Sequence, residues 1–136
     1  MVARNCWTIS EPVKSVQSAI LNLPYPPSAN RLWRMAGQGK APFKSAEYSS
    51  WLSHAGLLVN SQKPGCVEGP YALHIAAGKP DNRQRDIDNL IKPIGDLLQA
   101  AGVVTNDYLC QSVSAEWVTG IEGVRVSIVS TQMVAA

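Results

Sequence analysis

The chain has 136 residues, of which 16% are charged, and a formal net charge of +2. That length favours one domain with a core that needs no disulfide or metal support, aids that become usual only below about 40 residues. So slight a charge does not by itself argue for a polyanionic partner. No stretch reaches the roughly 20 apolar residues that span a bilayer, and no signal-like apolar run opens the chain, so a cytoplasmic protein without membrane association is expected. Cys6, Cys66 and Cys110 are odd in number and lack paired metal-ligand spacing, which predicts reduced thiols rather than a disulfide framework.

In chain order, residues 1–15 are expected to form an extension, with Trp7 and Ile9 able to dock, and residues 16–136 the domain. Val16 to Leu23 reads as a strand. Pro24, Pro26 and Pro27 stop it, because proline has no N–H for the ladder, and residues 24–30 form a stiff connector. Arg31, Arg34, Lys40 and Lys44 follow with no acid among them. Ser45 is a natural N-cap for a helix running to about Gln62, with Trp51, Leu52, Ala55, Leu58 and Val59 at helical spacing. Pro64-Gly65 ends it, and the alternation of Tyr71 to Ala77 predicts a second strand.

Gly78 to Arg85 is a polar loop carrying Lys79, Arg83 and Arg85. A second helix is predicted from about Asn89 to Ala101, turning Leu90, Ile91, Ile94, Leu97, Leu98 and Ala101 to the core. Gly102 suits its left-handed end. Pro93 is comfortable only at a helix start, so either the regular helix begins late or its first turn is distorted. Val113–Val118 and Val124–Val129 read as strands of an antiparallel hairpin. The order β-α-β-α-β-β predicts a single α/β (α+β) domain with a mixed sheet and helices packed on it.

The chemistry concentrates between the loop and the second helix. Asp86 and Asp88, two apart in extended backbone, would point the same way, and carboxylate oxygens are the natural ligands of Mg²⁺. Lys92 would share a helix face with Asp88. Asp107, beyond the Gly102 turn, can come back alongside the helix N-terminus. Three carboxylates around one or two metal ions would serve in-line attack of water on a phosphodiester. Lys92 would neutralise phosphate charge or orient the water. The basic stretches on either side would grip phosphates. A plainer reading stands beside this one: acids at a helix start cap amides and complement the dipole, each worth about 0.3–1 kcal/mol. An EF-hand fails, since Leu90 and Ile91 stand where an oxygen ligand and glycine belong. Asp96 reads as a salt-bridge partner of Lys92, and His54 and His74 as structural.

Three stretches carry a resemblance. They are Leu23-Pro24-Tyr25-Pro26-Pro27-Ser28-Ala29-Asn30-Arg31, the run from Lys79 through Arg85-Asp86-Ile87-Asp88-Asn89-Leu90-Ile91-Lys92, and Ala101-Gly102-Val103-Val104-Thr105-Asn106-Asp107. In this order and spacing the chain resembles the RusA family of Holliday junction resolvases from about Leu21 to Val129. The resemblance implies a small α/β homodimer that makes paired nicks in opposed strands of branched, four-way DNA with Mg²⁺, or with Mn²⁺ in its place. It implies Asp86, Asp88 and Asp107 as metal-binding acids and Lys92 as the catalytic lysine. Arg31, Arg34, Lys44, Lys79, Arg83 and Arg85 become the expected DNA contacts. The chain departs from the family at Asn106, where two adjacent acids are common, and at Pro93. Those departures keep a second reading open, a non-catalytic branched-DNA-binding protein with a degenerate metal site. A metal phosphohydrolase of small nucleotides is a third reading, which two open basic stretches disfavour.

Overall fold

Alternating apolar and polar side chains in Ser18–Leu23 turn Ala19, Leu21 and Leu23 inward and form strand β1. The computed structural model describes residues 15–28 and 31–132, so the expectations for Trp7 and Ile9 lie outside the described residues. The expected basic stretch holds a short antiparallel ladder, β2 (Trp33–Arg34) with β3 (Phe43–Lys44). Two-residue strands carry no periodic signal, and none was expected here. Helix α1 (Ala46–Gln62) follows, capped by Ser45, whose Oγ accepts the Tyr48 N–H at 3.0 Å. It ends at Lys63, which takes the left-handed turn itself at φ 51°, two residues before Gly65.

The remaining elements are β4 (Tyr71–Ala77), α2 (Ile91–Ala100), β5 (Cys110–Trp117) and β6 (Val124–Ser130). The sheet order is β1-β6-β4-β5, with β6 antiparallel to β1 and β4, and β5 parallel to β4. The sheet is mixed, as expected, but the last two strands do not form the expected hairpin. β4 lies between them. Its inward positions Tyr71, Leu73, Ile75 and Ala77 are buried and its alternate positions half-buried, so a central place satisfies ladder groups on both edges. β5 is exposed along much of its length and takes the edge.

Pro93 explains the start of α2. The first N–H groups of a helix have no partner inside it, so a proline as the third helical residue is tolerated. The preceding residues cannot join a continuous α-helix, and Ile87–Leu90 form a 3-10 turn instead, with Asn89 N–H donating to the Asp86 carbonyl at 3.2 Å. The regular helix therefore starts late and its lead-in is altered. At the other end Gly102 has φ 75°, as expected.

The core fills the space between one sheet face and both helices. β1, β4 and β6 contribute Leu21, Ile75 and Ile128, α1 contributes Tyr48, Ala55 and Val59, and α2 contributes Ile94, Leu97 and Leu98. Tyr48 extends the apolar stripe one turn beyond the expected set. Ile20 and Val129 stand exposed on the opposite sheet face. Cys66 is buried and disulfide-bonded, against the expectation of reduced thiols, while Cys110 is free. Among the described residues no helix is long and apolar enough to cross a membrane.

Candidate active site

Where β4 ends, the chain passes so close to the β5–β6 connection that a Cβ on Gly78 would stand 2.0 Å from the Ile121 carbonyl oxygen. Glycine alone fits, and this fixes where the basic loop departs. The loop is organised by Asp81. Its carboxylate accepts the Arg83 backbone N–H at 3.0 Å and both Nε and Nη2 of Arg85, at 3.2 and 2.8 Å. The Arg85 hydrogen bonds, then the Arg83 amide, hold the Asp81 carboxyl below its usual pKa. Arg85 also lies 5.4 Å from the Tyr25 ring centroid. Its guanidinium is thus committed, whereas the Arg83 side chain is 78% exposed and only 3.8 Å from Asp81.

Asp86 follows in extended backbone (φ −84°, ψ 125°) at the cap position of the 3-10 turn, yet its side chain makes no capping hydrogen bond. Asp88 sits within that turn. Both side chains are exposed, and neither has a hydrogen-bond or ion-pair partner among the described residues. Amide capping by its side chain therefore does not explain Asp86.

Lys92 is held differently. Its Nζ lies 3.1 Å from Asp96 Oδ1, and the other oxygen of Asp96 accepts the Tyr48 hydroxyl at 2.5 Å. Tyr48 is buried, and burial, reinforced by the Asp96 hydrogen bond, pushes its pKa far up, so it stays a donor at any working pH. The Lys92–Asp96 pair was legible from its four-residue spacing. Tyr48 was not, because α1 brings it from 48 residues away.

Asp107 opens a second 3-10 turn, Asp107–Leu109, whose cap is Asn106: its side-chain oxygen accepts the Tyr108 N–H at 3.2 Å. The Asp107 N–H donates to Gln99 Oε1 at 2.9 Å. Gln99 lies near the C-terminal end of α2, while Asp86 and Asp88 precede its N-terminus, and a helix of this length measures about 15 Å. The turn after α2 places Asp107 there because β5 must begin level with Tyr71, the first residue of its parallel neighbour. Among the described residues no three His, Cys, Asp or Glu side chains stand together as a group able to hold a metal ion. Mg²⁺ needs only one or two protein carboxylates, with waters and substrate phosphate completing the shell. The free Asp86 and Asp88 fit that requirement.

The other expected basic residues are spread over several elements. Arg31 and Arg34 are exposed. Lys44 Nζ lies 6.0 Å from the Tyr48 ring centroid, which sets β3 beside the Tyr48–Asp96–Lys92 chain, and Lys79 Nζ lies 5.5 Å over Trp117. Trp33, absent from the expected set, packs edge-on against Tyr48 at 6.3 Å and remains 44% exposed. A cavity of about 640 Å³ joins the proline connector, the start of α1 and the basic loop, with Arg31, Arg83, Arg85 and Asp86 among its lining residues. His74 contacts Ser114 and Glu116, as a structural histidine would.

Comparison with known proteins gives this arrangement a class, because the relatives it finds are endodeoxyribonucleases. The family model Endodeoxyribonuclease RusA matches residues 24–129. A Crossover junction endodeoxyribonuclease RusA of Aquifex aeolicus is 33% identical over 88% of this chain and 94% of its own length. The Escherichia coli K12 protein of that name is 30% identical over 83% of this chain and 93% of its own, and that of Enterobacteria phage HK97 is 27% identical over 82% and 92%. The chain belongs to the RusA family.

Proposed function

We propose that residues 16–136 form a divalent-metal-dependent endodeoxyribonuclease domain that resolves four-way DNA junctions by paired nicks in opposed strands, working as a cytoplasmic homodimer. The observation that carries this reading is the pair Asp86 and Asp88, exposed and unpartnered among the described residues, between a basic loop and Lys92. The names of the relatives support the substrate.

Asp86 and Asp88 would hold Mg²⁺, or Mn²⁺ in its place, which supplies polarisation of the scissile phosphate and a more acidic water. Lys92, kept in place by Asp96, presents an ammonium group to the charge that grows on the phosphate. Arg31, Arg34, Lys44, Lys79 and Arg83 grip phosphates of the arms, and Arg85, clasped to Asp81, shapes the loop they approach. Asp107, at the far end of α2, can share the ion of such a pair only from a second copy of the chain, which a homodimer provides.

The test mixes the protein with labelled four-way junction and matched linear duplex in Mg²⁺, Mn²⁺ or EDTA, alongside Asp88→Asn. Paired, metal-dependent nicks confined to the junction, lost in the variant while junction binding persists, are expected. The dispersed acids and Asn106 favour one rival, a branched-DNA binder without catalysis. Tight junction binding with no nick under any metal would establish that rival instead.

A further inference from the structure

We propose that the cavity beside Asp86 receives one unstacked nucleobase of the strand being cut; the proposal rests on the junction-nuclease reading of the same site. The walls suit a flat ring. Trp51 is fixed by its Nε1, which donates to the Pro24 carbonyl at 3.1 Å, and by stacking on Tyr48 at 6.4 Å between centroids. Tyr25, with the Arg85 guanidinium over one face of its ring, and Pro27 and Pro80 form the apolar side of a cavity whose other side is charged. At about 640 Å³ the cavity has the size of sites that enclose small organic ligands.

The polar groups around it suit a base better than a bare phosphate. Glu47 lines the cavity with no hydrogen-bond or ion-pair partner among the described residues, and so offers an acceptor that a base, unlike a bare phosphate, can use. A carboxylate there accepts from an exocyclic amino group, and Asn89, also in the lining, has an amide able to meet a ring nitrogen or carbonyl. Asp86 shares the lining, so a phosphate held at the Asp86–Asp88 pair has a neighbouring base within reach of the cavity. At a branch point a base has already lost part of its stack, so turning it out costs less there than inside a duplex. The cavity thereby rewards branched DNA over linear DNA and reads one base beside the cut.

Two experiments test this. Junctions with a single abasic position on either side of the cut are offered to the wild-type protein, to Glu47→Gln and to Gln84→Trp, which fills the cavity from an exposed loop position. One abasic position is expected to slow wild-type nicking by about tenfold, the scale of one lost base–aromatic stack. Gln84→Trp cuts intact and abasic junctions at one slow rate, and Glu47→Gln loses preference for an amino-bearing base at that position. The second experiment needs no cleavage: binding in EDTA is followed by the fluorescence of 2-aminopurine placed at each position. A change confined to one position and absent in Gln84→Trp supports the cavity even in a protein that nicks nothing, an outcome that removes only the nuclease reading. Equal nicking at every abasic position, or a fluorescence trace that is the same everywhere, overturns the proposal.

Discussion

Lys92 is steered by the largely buried Asp96, at 3.1 Å, and behind it by the fully buried Tyr48. Tyr48→Phe removes one hydrogen bond from a largely buried carboxylate, and about 1–2 kcal/mol of stability should go with it in urea unfolding. Asp96→Asn should lower the nicking rate by about tenfold, the effect of displacing Lys92 from its proposed role, with junction affinity nearly unchanged. Equal losses in binding and rate would assign Asp96 to the fold alone. Asp81 makes a pH prediction. Its folded pKa is lowered, chiefly by Arg85, so its favourable contribution is present above the unfolded carboxylate value of about 3.9 and is lost as pH falls through the folded one. The Arg85 Nε–H resonance should therefore hold its position from neutral pH down to about 4 and move only below it.

Among the elements, periodicity decided what could be read. α1, β1, β4 and the body of α2 repeat their apolar residues at helical or strand spacing, so their kind was legible, and their boundaries to within two residues. Partner choice was not, because no local feature of Val113–Val118 states that β4 will insert beside it. Pro93 announced trouble at the start of α2 without saying that a 3-10 turn would resolve it. The glycines offer a direct test of these joints. Gly123 has φ 75°, and a Cβ there would stand 2.3 Å from the Leu23 carbonyl oxygen. Gly123→Ala should cost about 1–3 kcal/mol. Gly95, inside α2 with open space around it, should give the opposite sign: Gly95→Ala stabilises by up to about 1 kcal/mol. Denaturant midpoints of the two variants, on either side of the parent, check both.

For the molecule as a whole, the motifs named the acids, the lysine and the arginines, but not their distances from one another. The cavity joins residues from three separated segments, and the placement of Asp107 depends on β5 running parallel to β4. Neither leaves a trace in local spacing. The placement makes the proposed homodimer testable by mixing two inactive chains. If Asp107 serves the acid pair of its partner, a hybrid of Asp88→Asn and Asp107→Asn carries both lesions in one site and leaves the other whole. Single nicks should then return on mixing, whereas chains that each hold a self-contained site would stay silent.

Lys92 is anchored through Asp96 to a tyrosine in the hydrophobic core, whereas Arg83 and Lys79 stand on an exposed loop. On the roles proposed for them, warming should act on these residues at different temperatures. The loop should loosen first and the grip on DNA slacken while the lysine holds its position, so early heat inactivation should be a rise in KM that more substrate reverses. A fall in kcat should come only when the core melts.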